Sequence, residues 1–344
     1  MAKKVYIGIG SVARESKKGY IGINGVARKI KKAYIGIGGI ARLFYSAERK
    51  ISYDNTLQIN RYVYRLGSAA HNNTYAIFAG GAGKDDSSSV SAFCAIDKTL
   101  TTNTGVKSFY NRRRSMASAS LNDYAMFFGG TLDSWDTWYR TSVYNSSLTH
   151  QEVRRSSSTY GAGVNDAAGC VLNNRALFAG GYNGNADDDD RYLRGVFTID
   201  GALTTTDLGA LTFVRNTTKY AAVTNNHALV ITSGILNPIC IDVYDKSFTH
   251  TTISAPFSKV WNPGASVGGN AIFSTYVSAN AGGSIYRLND SLTASVISST
   301  ETSLHEGISE SVDGHAIIGL GGSATIYEIN SSFTVTKYAV TDYT

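Results

Sequence analysis

One apolar strand is written six times along the chain: Tyr75-Ala-Ile-Phe-Ala-Gly-Gly81, Tyr124-Ala-Met-Phe-Phe-Gly-Gly130, Arg175-Ala-Leu-Phe-Ala-Gly-Gly181, His227-Ala-Leu-Val-Ile-Thr-Ser-Gly234, Asn270-Ala-Ile-Phe-Ser-Thr-Tyr276 and His315-Ala-Ile-Ile-Gly-Leu-Gly-Gly322. Successive copies begin 49, 51, 52, 43 and 45 residues apart. A unit of that length cannot bury its apolar face alone, so the copies must stack on one another.

The residues around each copy fill out the unit. A small-residue strand precedes it, as in Ser68-Ala-Ala-His-Asn-Asn73, Ser115-Met-Ala-Ser-Ala-Ser120 and Tyr220-Ala-Ala-Val-Thr-Asn-Asn226, where short side chains permit close approach at a crowded axis. An aromatic or β-branched strand follows and turns at an Asp or Asn: Ala95-Ile-Asp-Lys-Thr-Leu100, Val143-Tyr-Asn-Ser-Ser-Leu148, Thr198-Ile-Asp-Gly-Ala-Leu203, Val243-Tyr-Asp-Lys-Ser-Phe248, Tyr286-Arg-Leu-Asn-Asp-Ser-Leu292 and Tyr327-Glu-Ile-Asn-Ser-Ser-Phe333. The Asp or Asn oxygen caps the turn, and the Leu or Phe three residues on returns the chain to the core. Four strands at this period describe a propeller blade.

The sequence of small-residue strand, Tyr-Ala-Ile-Phe-Ala-Gly-Gly and Val-Tyr-Asp-x-Ser-Leu resembles a kelch repeat, over about four-fifths of the chain. Kelch repeats carry Trp after the third strand, where Leu100, Leu148 and Phe248 stand here. The fold expected is all-β: a kelch-like β-propeller over residues 51–344, behind a small hairpin module over 1–50. Six blades is the favoured count. A seventh outer turn, Ser52-Tyr-Asp-Asn-Thr-Leu57, leaves seven open, since residues 51–66 could instead close the ring on the last blade or form a stalk.

The module over 1–50 has its own rhythm. Tyr6-Ile-Gly-Ile-Gly-Ser-Val-Ala-Arg14, Tyr20-Ile-Gly-Ile-Asn-Gly-Val-Ala-Arg28 and Tyr34-Ile-Gly-Ile-Gly-Gly-Ile-Ala-Arg42 recur every fourteen residues. The central pairs Gly10-Ser11, Asn24-Gly25 and Gly38-Gly39 suit the positive φ angles of two-residue hairpin turns. Each copy therefore reads as a β-hairpin, and the three together as a small meander with a cationic rim.

Charge separates the two parts. Residues 1–50 hold eight Lys and four Arg against Glu15 and Glu48, a net of +10, whereas the whole chain carries +6, so residues 51–344 carry −4. A basic segment on a mildly acidic body suits docking to an acidic surface. Tyr6, Arg14, Lys17, Lys18, Tyr20, Arg28, Lys31, Lys32, Tyr34 and Arg42 are the expected anchoring residues. No nucleic-acid motif accompanies them, and no stretch is apolar enough for a signal peptide or a membrane span, so neither partner is expected.

Catalytic signatures are few. The six His residues show no metal spacing, and His227 and His315 fill a blade position that Tyr75, Tyr124, Arg175 and Asn270 fill elsewhere. Asp187-Asp-Asp-Asp190 lacks the regular spacing and closing Glu of a calcium loop and reads as solvated. Arg112-Arg113-Arg114 opens one blade and Arg154-Arg155 reads as opening the next, placed to knit blades through carboxylates. Cys94, Cys170 and Cys240 are scattered, Cys94 and Cys240 reading as small buried hydrophobes without disulfides. The repeated Ser-x-Asp-x-Gly-x-Thr-Trp turns of sialidase propellers are missing, and no nucleophile triad or nucleotide loop stands out. No catalytic residue, cofactor or metal is expected. The loop Leu132-Asp-Ser-Trp-Asp-Thr-Trp-Tyr-Arg140 differs: Trp135, Trp138 and Tyr139 beside Asp136 suit stacking on sugar rings with bonds to hydroxyls, or packing on a neighbouring blade or protein.

The fourteen-residue copies are similar to segments of virion proteins from bacteriophages and prophages of Gram-positive bacteria, over residues 3–42. That resemblance implies a structural protein made in the host cytoplasm and carried on the particle, at tail, baseplate, collar or capsid, as an oligomer imposed by particle symmetry. Its partners would be acidic surfaces of other virion proteins and a host-surface glycan. A glycan-active propeller enzyme and a cytoplasmic kelch-type scaffold are the alternatives.

Overall fold

A computed structural model of the chain describes strands within residues 6–46 and, beyond them, residues 68–81, 91–97, 102–103, 109, 111–132, 139–154, 164–183, 193–212, 220–232, 240–257, 264–275, 283–300, 308–312, 314–319 and 325–339. The chain divides into two compact units, Met1–Thr56 and Leu57–Thr344. Every regular element among the described residues is a strand.

In the first unit, Tyr6–Ile9 pairs with Val12–Glu15, Tyr20–Ile23 with Val26–Lys29, and Lys32–Ile37 with Ile40–Ser46. Ile9 faces Val12, Ile23 faces Val26 and Ile37 faces Ile40, a register that leaves two residues between the strands of each hairpin, as the sequence predicts. The meander expectation needs correcting, because the three hairpins are separate two-stranded sheets.

The second unit holds six four-stranded antiparallel blades among the described residues, each built from consecutive strands running outward from the axis. Blade one is Ser68–His71, Tyr75–Ala79, Phe93–Asp97 and Thr102–Asn103; blade two is Ala117–Leu121, Tyr124–Phe128, Arg140–Tyr144 and His150–Arg154. Blade three is Ala168–Leu172, Arg175–Ala179, Gly195–Asp200 and Thr205–Ala210; blade four is Tyr220–Val223, His227–Thr232, Cys240–Asp245 and His250–Ser254. Blade five is Ala265–Val267, Asn270–Ser274, Ser284–Leu288 and Ala294–Ser299; blade six is Ile308–Val312, His315–Gly319, Thr325–Asn330 and Val335–Ala339. The innermost strand of blade six lies beside that of blade one, which closes the ring. Blade six supplies its own outermost strand, so the ring needs no strand from residues 51–66, which lie outside the described residues.

The outer hairpins form as their side chains dictate. Asn145 Oδ1 accepts from Ser147 N at 3.0 Å and Thr149 N at 2.9 Å, Asp200 Oδ1 from Ala202 N at 3.0 Å and Thr204 N at 2.9 Å, and Asp245 Oδ1 from Ser247 N and Thr249 N at 2.8 Å each. The next residue of the motif is strained: Leu148, Leu203, Phe248, Leu292 and Phe333 all have φ between 59° and 62°. A side chain tolerates that conformation only when something offsets it. The offset is packing on the preceding blade, where Leu148 joins Ala70 and Ile77 of blade one, and Phe248 joins Leu172 and Leu177 of blade three. Arg175 and Arg287 stack on Phe248 and Phe333 of the following blade, at 5.8 and 4.4 Å from the ring centroids. These Leu and Phe residues therefore pin neighbouring blades together, in place of the kelch Trp.

The hydrophobic core lies between blades rather than at the axis, in clusters joining blades one and two, two and three, three and four, four and five, and five and six. The glycine pairs make the same joints in backbone. Gly81 N donates to Arg113 O at 2.8 Å and Gly130 N to Val164 O at 2.6 Å, each reaching the next blade. A Cβ on Gly80, whose φ is 68°, would stand 2.2 Å from Arg113 O.

Candidate functional site

Six innermost strands converge on a channel of about 280 Å³. Cross-strand pairing puts their residues in layers. One layer is Ala69, Ser118, Gly169, Ala221, Gly264 and Ser309; the next is His71, Ser120, Val171, Val223, Ser266 and Ser311. Small residues are required here because the backbones almost touch: a Cβ on Gly169 would lie 2.3 Å from Ser118 O, and one on Gly264 2.4 Å from Ala221 O.

An innermost strand has an unpaired edge, and its amides need partners. Serines of the next blade supply several. Ser120 Oγ accepts from His71 N at 2.8 Å, Ser266 Oγ from Val223 N at 2.9 Å, and Ser311 Oγ from Ser266 N at 2.6 Å. Val171 and Val223 put methyl groups at the same positions. Cys170 and His71 line this channel, Cys170 half-buried and His71 at an exposed strand end. Burial pushes the Cys170 thiol up to about 12 and holds the His71 imidazole below its usual value.

A second concentration of polar groups lies in the outer hairpins. In blade two, His150 Nε2 is 2.8 Å from Glu152 Oε1, and Ser142 donates to the same oxygen. In blade four, His250 Nε2 is 2.6 Å from the fully buried Asp242 Oδ1, to which Thr252 Oγ1 donates at 3.3 Å. The carboxylate and the hydroxyl have exchanged strands between the two blades while the His has stayed. His150 packs against Tyr144 at 5.1 Å and His250 against Tyr244 at 4.9 Å. In blade six, His315 Nδ1 is 2.7 Å from Glu328 Oε1, and Tyr338 OH donates to Glu328 Oε2 at 2.6 Å. These pairs clasp strands, with each acid meeting its imidazole and a hydroxyl.

The end of each blade that carries the connection between second and third strands is most distinctive in blade two. Arg113 is fully buried, donates from Nη1 to Gly129 O at 2.9 Å and from Nη2 to Ser142 Oγ, and lies 4.8 Å over the Phe109 ring. Arg113 thus ties a carbonyl and a hydroxyl of blade two together. Arg154 ends the outermost strand of blade two instead of opening blade three, because His150–Arg154 continues the ladder up to it. Tyr139 enters the third strand, with its phenol oxygen accepting from Arg140 Nη2 at 3.1 Å and its ring 5.2 Å from the Arg140 guanidinium carbon.

Of the other residues singled out in sequence, Trp135, Asp136 and Trp138 lie outside the described residues, as do Lys17, Lys18, Lys31, Asp187–Asp190 and Arg155. Tyr6, Arg14, Tyr20, Arg28, Lys32, Tyr34 and Arg42 all fall on the hairpin strands. His227 and His315 open the second strands of their blades, as the repeat implied. Their carboxylate partners escaped sequence reasoning, since Glu328 comes from the adjacent strand and Asp290, 3.5 Å from His227, from the next blade. Cys94 is buried but Cys240 is only half-buried, and none of the three cysteines is in a disulfide. Among the described residues no group of three or more His, Cys, Asp or Glu could hold a metal ion.

No family model matches the chain, and no curated protein does. Among solved structures the chain is similar to one titled "Structure of YjhT", with a TM-score of 0.58 and 14% identity, covering 80% of this chain and 97% of that one. A likeness at that identity speaks to fold, and the fold it shares with this chain is the six-bladed, kelch-like β-propeller.

Proposed function

We propose that the chain is a non-enzymatic structural protein of a phage particle, whose basic hairpins attach it to an acidic virion surface and whose propeller presents a binding face to another virion protein or a host-surface glycan. The observation that carries this reading is the coincidence of charge with architecture. Met1–Thr56 forms one compact unit with twelve basic residues against Glu15, Glu48 and Asp54, while Leu57–Thr344 is a separate unit of net negative charge. Attraction between a basic module and an acidic surface needs no shape match and is tuned by salt. A β-propeller suits the display role, its rigid ring holding loops at both ends.

The test exchanges Lys17, Lys18, Lys31 and Lys32 for Gln in the full chain and counts copies per purified particle. Copies fall several-fold if electrostatic attachment holds, with the melting temperature of the propeller unchanged. Undiminished copy number refutes it.

A further inference from the structure

The outermost strand of each blade is a sheet edge, and in blades two, three, four and six it carries a titratable side chain, as with Glu152, Asp207, His250 and Lys337. Charge on an edge discourages a further strand from pairing there. In blade five the strand Ala294–Ser299 carries none. Its Val296 is 56% exposed, the most open large apolar side chain among the described residues.

Blade three supplies the comparison. It and blade five both have a register shift in the outermost ladder, which leaves Leu208 or Ile297 outside the pairing and packed toward the core between blades. The residue just before it stands across from the third strand, Asp207 from Phe197 and Val296 from Tyr286. The same bulged edge is thus built with a carboxylate in one blade and a bare valine in the other, so the fold itself does not call for Val296.

The ladder also fixes which backbone groups look outward. Asn289 N donates to Thr293 O at 3.1 Å, so by antiparallel alternation Ser295 is the residue that bonds to Arg287, while Ala294 and Val296 turn N–H and C=O away from the sheet.

We infer that this edge pairs antiparallel with the same edge of a second copy of the chain, about a two-fold axis at Ser295. Ala294 of each copy exchanges both backbone hydrogen bonds with Val296 of the other, and Ser295 faces Ser295. An uncharged strand is its own complement here, because the two-fold brings each side chain of the edge near its own copy, where a charge would meet its like. The bulge at Ile297 ends the straight run after Val296, and the isologous contact closes at two copies. This pairing goes beyond the attachment reading and does not depend on it.

Sedimentation velocity on the full chain tests the pairing, and disulfide trapping locates the axis. Wild type should associate more as its concentration rises, and V296D, which installs the residue of blade three, should weaken that association by about tenfold. S295E should weaken it likewise and decides the matter if V296D fails to fold, since its glutamate faces Arg287 within its own sheet but another glutamate across the axis. On oxidation S295C should cross-link far faster than S299C, because the axis brings the first pair of thiols within disulfide reach and holds the second pair roughly 25 Å apart. Association unchanged in S295E overturns the inference, as does S299C cross-linking as fast as S295C. A wild type that stays monomeric overturns it too: slow amide exchange at Ala294 and Val296 would then give the edge to a segment of the same chain, and fast exchange would leave it to a different partner.

Discussion

Replacing Leu148 by Gly sets two effects of known sign against each other. Leu148 sits at φ 59°, a conformation that penalises a side chain by about 1 kcal/mol and that glycine adopts freely. Its side chain is 8% exposed and packs on Ala70 and Ile77 of the preceding blade, so truncation loses about 3 kcal/mol of burial and packing. Packing wins, and L148G should destabilise the propeller by about 2 kcal/mol, lowering the melting temperature by roughly 4–8 °C for a unit of this size. Leu203 has the same strain, with φ 62°, but is only half-buried, so L203G should come out near neutral. Urea unfolding of the full chain followed by tyrosine fluorescence gives both values. If L148G matched or exceeded wild-type stability, or if L203G were as damaging, the assignment of these residues as pins between blades would be refuted.

Three further outcomes follow from the same geometry. Arg113→Met leaves Ser142 and the Gly129 carbonyl without the buried guanidinium, and should destabilise by about 3 kcal/mol, read as a lower urea midpoint at unchanged slope. His71 has a folded-state value below its unfolded value of about 6.5, so its contribution is fully present above that pH and is lost as pH falls toward the folded value; the stability difference between wild type and H71S should therefore shift against wild type on acidification from pH 7 to 5. Cys170, whose thiol burial pushes up to about 12, should react slowly with a disulfide reagent at pH 8 in the native protein and fast once urea unfolds it; equal rates in the two states would contradict that shift.

The parts of the fold legible in sequence are those set by local chemistry. Asn145, Asp200 and Asp245 announce the outer hairpins because one side-chain oxygen caps amides two and four residues on. The small residues before each apolar strand foreshadow the crowded axis, and the chain does bring Ser118 and Gly169 into near contact there. The inner turns were harder to place. Asn173-Asn174 and Gly268-Gly269 both take positive φ as two-residue connections, yet their residues read equally well as strand ends. The facing of Arg140 and Arg154 across blade two was illegible for a different reason. The two residues are fourteen apart, and only the register of the third and fourth strands makes them neighbours. The same holds for His250 with Asp242, where the acid moves to the other strand in blade two. The loop over 132–140 stands out by its aromatic composition, and of its aromatic residues Tyr139 falls among those described.

The reading of the chain as a propeller carried on a cationic attachment module meets its most direct test in particles assembled with a chain lacking residues 1–42. Mass spectrometry of the purified particles should find the full-length protein and not the truncated one, while the truncated chain, recovered from the cell lysate, melts as a folded propeller. Truncated protein present at full-length abundance in the particles would contradict the reading.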